Sequence, residues 1–294
     1  MKKVKLLGTI YGITGAAAYG VNPLFAKLLY FGGIGVNSIL FYRYSIALLI
    51  LFLWLKLFKR ISLKINLKEC ISLCILGIIF SMSSITLFKS YQYIDVGIAS
   101  TLLFIYPVIV AVIMSTFFKE RINKITIISI VLTTIGILLL YKGKSGVSLN
   151  LTGVCLVLLS ACCWATYMIC VKKIPILTKM NNDKLTFYVI FFGLFVYIYN
   201  LKFCTQLQLL NNPVMWLCSI GLAIIPTIIS IETVNLSIKL IGSTKTAILG
   251  ALEPVTAIII GVGIFGENIT IRIICGIISI IGAVVLVVLN QNKK

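Results

Sequence analysis

The chain has 294 residues, 60% of them hydrophobic, with a mean hydropathy of +1.13. Soluble domains sit near about 45–50% apolar, so the composition predicts an integral membrane protein and excludes an ordinary soluble one. The net charge of +19 is no nucleic-acid footprint, because the basic residues fall in short gaps between apolar runs and no polar domain gathers them on one face.

A helix needs about 20 apolar residues to cross a bilayer. Runs of that kind occupy 6–30, 36–58, 68–91, 96–117, 122–142, 150–173, 184–201, 214–238, 243–265 and 268–290, here called segments 1 to 10. The opening MKKVKLLGTIYGITGAAAYG has the outline of a signal peptide, with a basic start, an apolar core and Ala-x-Ala at Ala16–Ala18. The apolar run continues to Leu29, so it reads as an uncleaved span. Gly8, Gly12, Ala16 and Gly20 recur every four residues in it, a small-residue stripe suited to close helix packing. Tyr19 and Asn22 sit near its centre, with Pro23 adding a bend.

Segment 2 carries Arg43 seven residues in, deep enough to bind a substrate carboxylate or to pair with a structural partner. Tyr91, Gln92, Phe104 and Tyr106 are second-rank cavity candidates on segments 3 and 4, and Trp164 is a central aromatic of segment 6. In segment 8, Glu232, Asn235 and Lys239 stand at i, i+3 and i+7, one polar stripe on one helical face. Such a stripe lines a cavity or forms a hydrogen-bond seam between helices; cavity lining is the favoured expectation. Pro226, upstream of it, is placed to kink the span.

Segment 9 contains GALEPVTAIIIG, residues 250–261, which sets Glu253 beside Pro254 inside an apolar run. A charge at membrane depth costs on the order of 3 kcal/mol by insertion scales and usually faces a cavity. Two readings stand. Glu253 is a proton-coupling or substrate-amine site, or it is a structural acid that satisfies backbone groups freed by Pro254.

Eight of the nine cysteines lie in or at the ends of apolar runs, and only Cys204 sits clearly in a loop. With no CxxC pair and no histidine, zinc and redox chemistry have no basis, and the cysteines read as small hydrophobes. No cofactor, metal or catalytic set is expected. A membrane enzyme would need a nucleophile and base or metal ligands, and a channel a filter loop or charge ring.

With the N-terminus placed in the cytoplasm, the cytoplasmic segments hold 19 of the 26 basic residues and the outer loops five. By the positive-inside rule both termini face the cytoplasm. The halves 1–146 and 147–294 also resemble each other at an offset of 145–147 residues: Gly8 lies over Gly153, Tyr19 over Trp164, Pro107 over Pro254 and Glu120 over Glu267. Five spans per half is an odd number, so the second half enters the membrane inverted. The charges agree, since FFKERINK (117–124) is basic and its partner FGENITIR (265–272) nearly neutral. Inverted repeats recur in secondary transporters.

The paired segments YPVIVAVIMSTFFKER (106–121) and LEPVTAIIIGVGIFGE (252–267), with TKTAILGALEPV (244–255) and YIDVGIASTLLFIYPV (93–108), resemble the drug/metabolite transporter superfamily, EamA type, over essentially the whole chain. The resemblance implies an all-α fold of ten transmembrane helices in two inverted repeats, with a central cavity bounded mainly by segments 1, 3, 4, 6, 8 and 9. It implies alternating-access transport, typically export, of metabolites, amino acids or drugs across the cytoplasmic (inner) membrane. A flippase for lipid or lipid-linked sugar is the alternative within the same fold. The expected partners are a small-molecule substrate, the lipid bilayer and, as a candidate assembly, a second copy in a homodimer; nucleic acid is not among them.

Overall fold

The computed structural model describes residues 2–90, 92–94, 99, 102–120, 123–140, 150–265 and 270–292, and among them the regular structure is helical throughout. A helix lies in each of the ten apolar segments. Segment 1 is split into α1 (Lys2–Gly20) and α2 (Asn22–Phe31); α3 (Val36–Leu53) ends in a π-helical turn at Trp54–Phe58; α4 is Leu67–Ser90, α5 Tyr106–Thr116 and α6 Lys124–Leu140. The second half has α7 (Leu151–Lys173), the short α8 (Pro175–Lys179) and α9 (Asn182–Asn200). Segment 8 is α10 (Pro213–Ala223) joined through a π-turn (Ile224–Ile229) to α11 (Ser230–Ile241). Segment 9 is α12 (Ser243–Leu249) and α13 (Leu252–Phe265), and α14 (Ile271–Asn292) closes the chain. Among the described residues five continuous helical stretches are long and apolar enough to cross a membrane: Val36–Phe58, Leu67–Ser90, Leu151–Lys173, Pro213–Ile241 and Ser243–Ile260.

The outer surface is apolar where a soluble protein would be polar. On α14, Ile271, Ile274, Ile278, Ile281 and Val285 are exposed at helical spacing, while Ile280, Ala283, Val284 and Val287 on the other side are buried. On α4 the exposed stripe is Ile71, Ile75, Ile78 and Met82. Stripes of this kind exceed what a soluble surface carries and suit hydrocarbon. Together with the apolar helices they make this a multi-pass membrane protein.

Helix packing follows an exchange of halves. α1 packs on α11 as α7 packs on α4; α1 packs on α13 as α7 packs on α5; α3 packs on α10 as α9 packs on α4. The pairs α6–α14 and α3–α9 map onto themselves. The hydrogen bonds repeat the pattern: the Ser83 hydroxyl donates to the Ser160 carbonyl at 3.0 Å, and the Ser230 hydroxyl to the Gly15 carbonyl at 2.9 Å.

The small residues of segment 1 make the α1 contacts close. A Cβ on Gly8 would lie 2.6 Å from Ile241 Cγ2, and one on Gly12 would lie 2.5 Å from Leu249 Cδ1. The 58–68 and 174–184 connections meet. There Lys59 pairs with Asp183 at 2.5 Å and Lys184 lies 3.9 Å from Glu69. Asn66 and Glu69 cap α4 reciprocally, each side chain accepting from the other's backbone N–H at 2.8 and 3.0 Å.

Candidate functional site

Proline shapes the helices around the centre. Pro226 has no N–H, so the Leu222 carbonyl four residues earlier loses its usual donor. The Thr227 hydroxyl donates to that carbonyl at 2.7 Å instead, and the helix runs through a π-turn there. This turn is the form taken by the kink expected at Pro226. Pro254 likewise leaves the Gly250 carbonyl without a donor, and the Glu253 backbone N–H supplies it at 3.0 Å. Segment 9 is broken at Gly250–Ala251, and Glu253 falls in the first turn of α13. Segments 1 and 4 follow the same plan: Asn22 precedes Pro23 at the start of α2, and Tyr106 precedes Pro107 at the start of α5. Segment 6, with no proline at the matching place, runs unbroken as α7.

A cavity of about 40 Å³ lies between these elements. Its wall is made by Gly12, Gly15, Ala16 and Tyr19 of α1; Phe80, Ser83, Ser84 and Leu87 of α4; Leu103 and Tyr106 of segment 4; Trp164 and Met168 of α7; Ser230 and Val234 of α11; and Thr246, Gly250 and Glu253 of segment 9. These are the six segments that the family resemblance implies. The volume suits water rather than a metabolite, since ligand pockets run to about 300–1,000 Å³.

One side of the cavity is an aromatic box. Trp164 stacks on Tyr167 with centroids 5.2 Å apart and planes 4° from parallel; Phe80 lies 5.7 Å from Trp164, and Tyr106 meets Trp164 edge-on at 6.5 Å. The Tyr106 hydroxyl donates to the Ala247 carbonyl at 3.2 Å and fixes its ring across the break in segment 9. Glu253 is the one carboxylate on the described wall. Its position is held by backbone: a Cβ on Gly20 would lie 2.5 Å from the Glu253 carbonyl oxygen and 2.7 Å from Thr256 Cβ. Its side chain has no hydrogen-bond partner among the described residues, and the carbonyl freed by Pro254 is served by main chain. The structural duty considered for this acid therefore falls to its own N–H.

Arg43 lies behind Tyr19. It is 1% exposed, with its guanidinium carbon 5.6 Å from the centre of the Tyr19 ring. Nε donates to Thr227 Oγ1 at 2.5 Å and Nη2 to the Pro226 carbonyl at 3.0 Å. Segment 2 is thereby tied to the π-turn of segment 8.

Of the eleven residues singled out in the sequence, the structure gathers Tyr19, Tyr106, Trp164 and Glu253 on the cavity wall and Arg43 one side chain away. Phe104 is buried beside Tyr106, with ring centroids 5.6 Å apart, in the core rather than on the wall. Gln92 is exposed beyond the end of α4, and Tyr91 lies outside the described residues. Asn22 is buried with its Oδ1 unpartnered, off the wall. The stripe of segment 8 faces helices instead of the cavity. Asn235 accepts from the Tyr167 hydroxyl at 2.8 Å and donates to Thr186 at 3.3 Å; the Asn182 amide donates to the Glu232 carboxylate; Lys239 donates to the Met180 carbonyl at 2.8 Å. A polar stripe cannot tell water from neighbouring helices by spacing alone, and here α7, α9 and the Met180 carbonyl take up its bonds, with Glu232 Oε1 left buried and unpartnered. Sequence reasoning missed Ser83, Ser84, Ser230 and Thr246. The signal was there in SMSSITLFKS (81–90), a hydroxyl cluster inside an apolar span.

The comparisons with known proteins agree with this architecture. An uncharacterized transporter of Clostridium kluyveri is 26% identical over 247 residues, 80% of this chain and 76% of its own length. An uncharacterized transporter of Archaeoglobus fulgidus is 24% identical over 195 residues, 66% of this chain and 68% of its own. A protein of known crystal structure superposes over 97% of this chain and 98% of its own with a TM-score of 0.82 at 13% identity, a likeness of fold. The EamA-like transporter family model matches twice, at 6–142 and again at 151–289. With both matches falling on the helices that wall the cavity, the chain belongs to the EamA-like transporter family.

Proposed function

We propose that this protein is a secondary transporter of ten spans, in which two inverted repeats, 1–146 and 147–294, rock about the central cavity and carry a small metabolite, amino acid or drug outward across the cytoplasmic membrane, with both termini inside. The observation that carries the reading is the exchange of halves in the packing: α1 packs on α11 and α13 as α7 packs on α4 and α5. Two halves packed by one rule can trade an inward-open for an outward-open shape at similar energy. The discontinuous segments 1, 4 and 9 support it further, since broken helices at the midplane are a recurrent device for holding substrate or coupling ions. Glu253, in the first turn of a half-helix and facing the cavity, is the proposed proton-coupling residue. Tyr19, Tyr106 and Trp164 supply the contact surface for an apolar or aromatic body. The cavity is walled by six segments, and on that ground a soluble substrate is preferred to the flippase.

The test is counterflow in proteoliposomes loaded with amino acids, nucleobases and cationic drugs at two pH values. Exchange of one class is expected, and Ala16→Trp, which fills the cavity from α1, abolishes it. Lipid scrambling without exchange of any solute would overturn the proposal in favour of a flippase.

A further inference from the structure

Arg43 is a buried cation whose hydrogen-bond partners are neutral. A guanidinium stays charged at any pH a protein meets, and a charge inside a membrane protein is expensive and tends to mark a site. The hydrogen-bond partners of Arg43 are a threonine hydroxyl and a proline carbonyl. The ion pairs among the described residues, Lys59–Asp183 and Lys184–Glu69, do not include it. Its third nitrogen, Nη1, is buried without a hydrogen-bond partner. Both N–H groups of Nη1 are thus left open to an acceptor, and a carboxylate oxygen is the acceptor that makes the stronger, charge-assisted bond.

The surroundings restrict what could fill that position. The guanidinium sits over Tyr19, whose ring is part of the cavity wall. The cavity already holds the carboxylate of Glu253, and the Arg43 charge acts on it. Facing the carboxylate of Glu253, a dianion meets twice the repulsion that a monoanion does, so a single carboxylate is the anion this cation holds most readily. The remaining wall, Phe80, Tyr106, Trp164 and Met168, offers apolar and aromatic surface. Resting on the transport reading above, we propose that Arg43 is the recognition group for the carboxylate of a monoanionic substrate with an apolar or aromatic body, reached when the Tyr19 ring swings from between guanidinium and cavity. Nη1 takes the carboxylate while Nε and Nη2 keep their bonds to the π-turn, so binding leaves the tie between segments 2 and 8 in place.

Phenylacetate, phenylacetamide and phenethylamine share one body and differ in charge, and they serve as probes for counterflow in vesicles. The wild type is expected to exchange phenylacetate. Arg43→Gln lowers that exchange about tenfold or more, the scale of a lost charge-assisted hydrogen bond, and leaves phenylacetamide unchanged; Arg43→Lys restores a part. Thr227→Val, which removes a neutral partner of the same guanidinium, keeps the ratio of phenylacetate to phenylacetamide at the wild-type value even if less protein folds. Equal loss of all three probes in Arg43→Gln, or no phenylacetate exchange by the wild type, overturns the assignment. Exchange of phenethylamine in those same vesicles would leave the transporter reading standing, while failure of the wider solute panel would sink that reading on its own.

Discussion

Ser83 and Ser160 clasp each other across α4 and α7: each hydroxyl donates to the other's backbone carbonyl, at 3.0 and 2.7 Å, and the two oxygens lie 3.1 Å apart. When the halves are exchanged, their counterparts are Ser230 and Gly15, where a single hydroxyl does the same. The clasp binds the two halves together beside the cavity, because α4 belongs to the first and α7 to the second. Interhelical hydrogen bonds in membranes are worth about 0.6 kcal/mol on average and up to about 1.7. Ser83→Ala and Ser160→Ala are therefore expected to couple: in a double-mutant cycle on thermal melting the interaction term is about 1 kcal/mol. Additive losses would mean that the two hydroxyls act separately.

The glycines of segment 1 are predicted to differ in cost. At Gly12 the atom that an added Cβ meets most closely is the end of a leucine side chain, which can turn away; at Gly20 it is the backbone oxygen of Glu253. Gly20→Ala should destabilise by about 1–3 kcal/mol, the usual range for overpacking, and Gly12→Ala by less. Melting temperatures in one detergent compare them directly.

Tyr167→Phe separates the segment 8 stripe from the cavity. Removing the hydroxyl leaves Asn235 Oδ1 without its donor at 2.8 Å. A loss of about 1–3 kcal/mol in stability is expected for an orphaned buried acceptor, with the substrate profile in vesicles unchanged. A change of profile at normal stability would put the stripe in the transport path.

Glu253→Gln keeps the shape of the side chain and removes its charge and its proton. Transport of the exchanged solute at pH 6 and pH 8 is expected to differ in the wild type and to coincide in the variant, with equal protein in the membrane. A variant that retains the wild-type difference shows that coupling lies elsewhere.

Asp183→Asn tests the opposite extreme. The Lys59–Asp183 pair is short, at 2.5 Å, yet the lysine side chain is 40% exposed. Exposed pairs contribute about 0–1 kcal/mol and fade in salt, so the melting temperature should shift little, and less at high salt.

Much of this fold was legible in the sequence because lipid imposes a simple rule. Every apolar run must close its own backbone hydrogen bonds, and helix is the answer, so the regular structure among the described residues is helical. The bends at Pro23 and Pro226 were legible too, since a missing N–H has a fixed consequence. The site was harder. Glu253, Tyr106 and Trp164 reached the cavity from places that the repeat offset marked out, whereas the stripe at Glu232 and Asn235 was placed on the wrong side. Its periodicity reported one face, and which neighbours that face meets depends on α7 and α9, far away in the chain. Arg43 was visible as an oddity, but its partners at Pro226 and Thr227 emerge only when segment 2 packs on segment 8.

Arg43 sits over Tyr19, which shares the cavity wall with Glu253, and this has an electrical consequence for the transport cycle proposed above. With both side chains ionised the pair carries no net charge, so in that cycle the empty state would turn over without work against the membrane voltage. A bound monoanion adds one negative charge, worth about 2.3 kcal/mol per 100 mV over the full thickness. Loading would then make the turnover voltage-dependent where the empty return is not, and with a negative interior the field would drive such a substrate out of the cell.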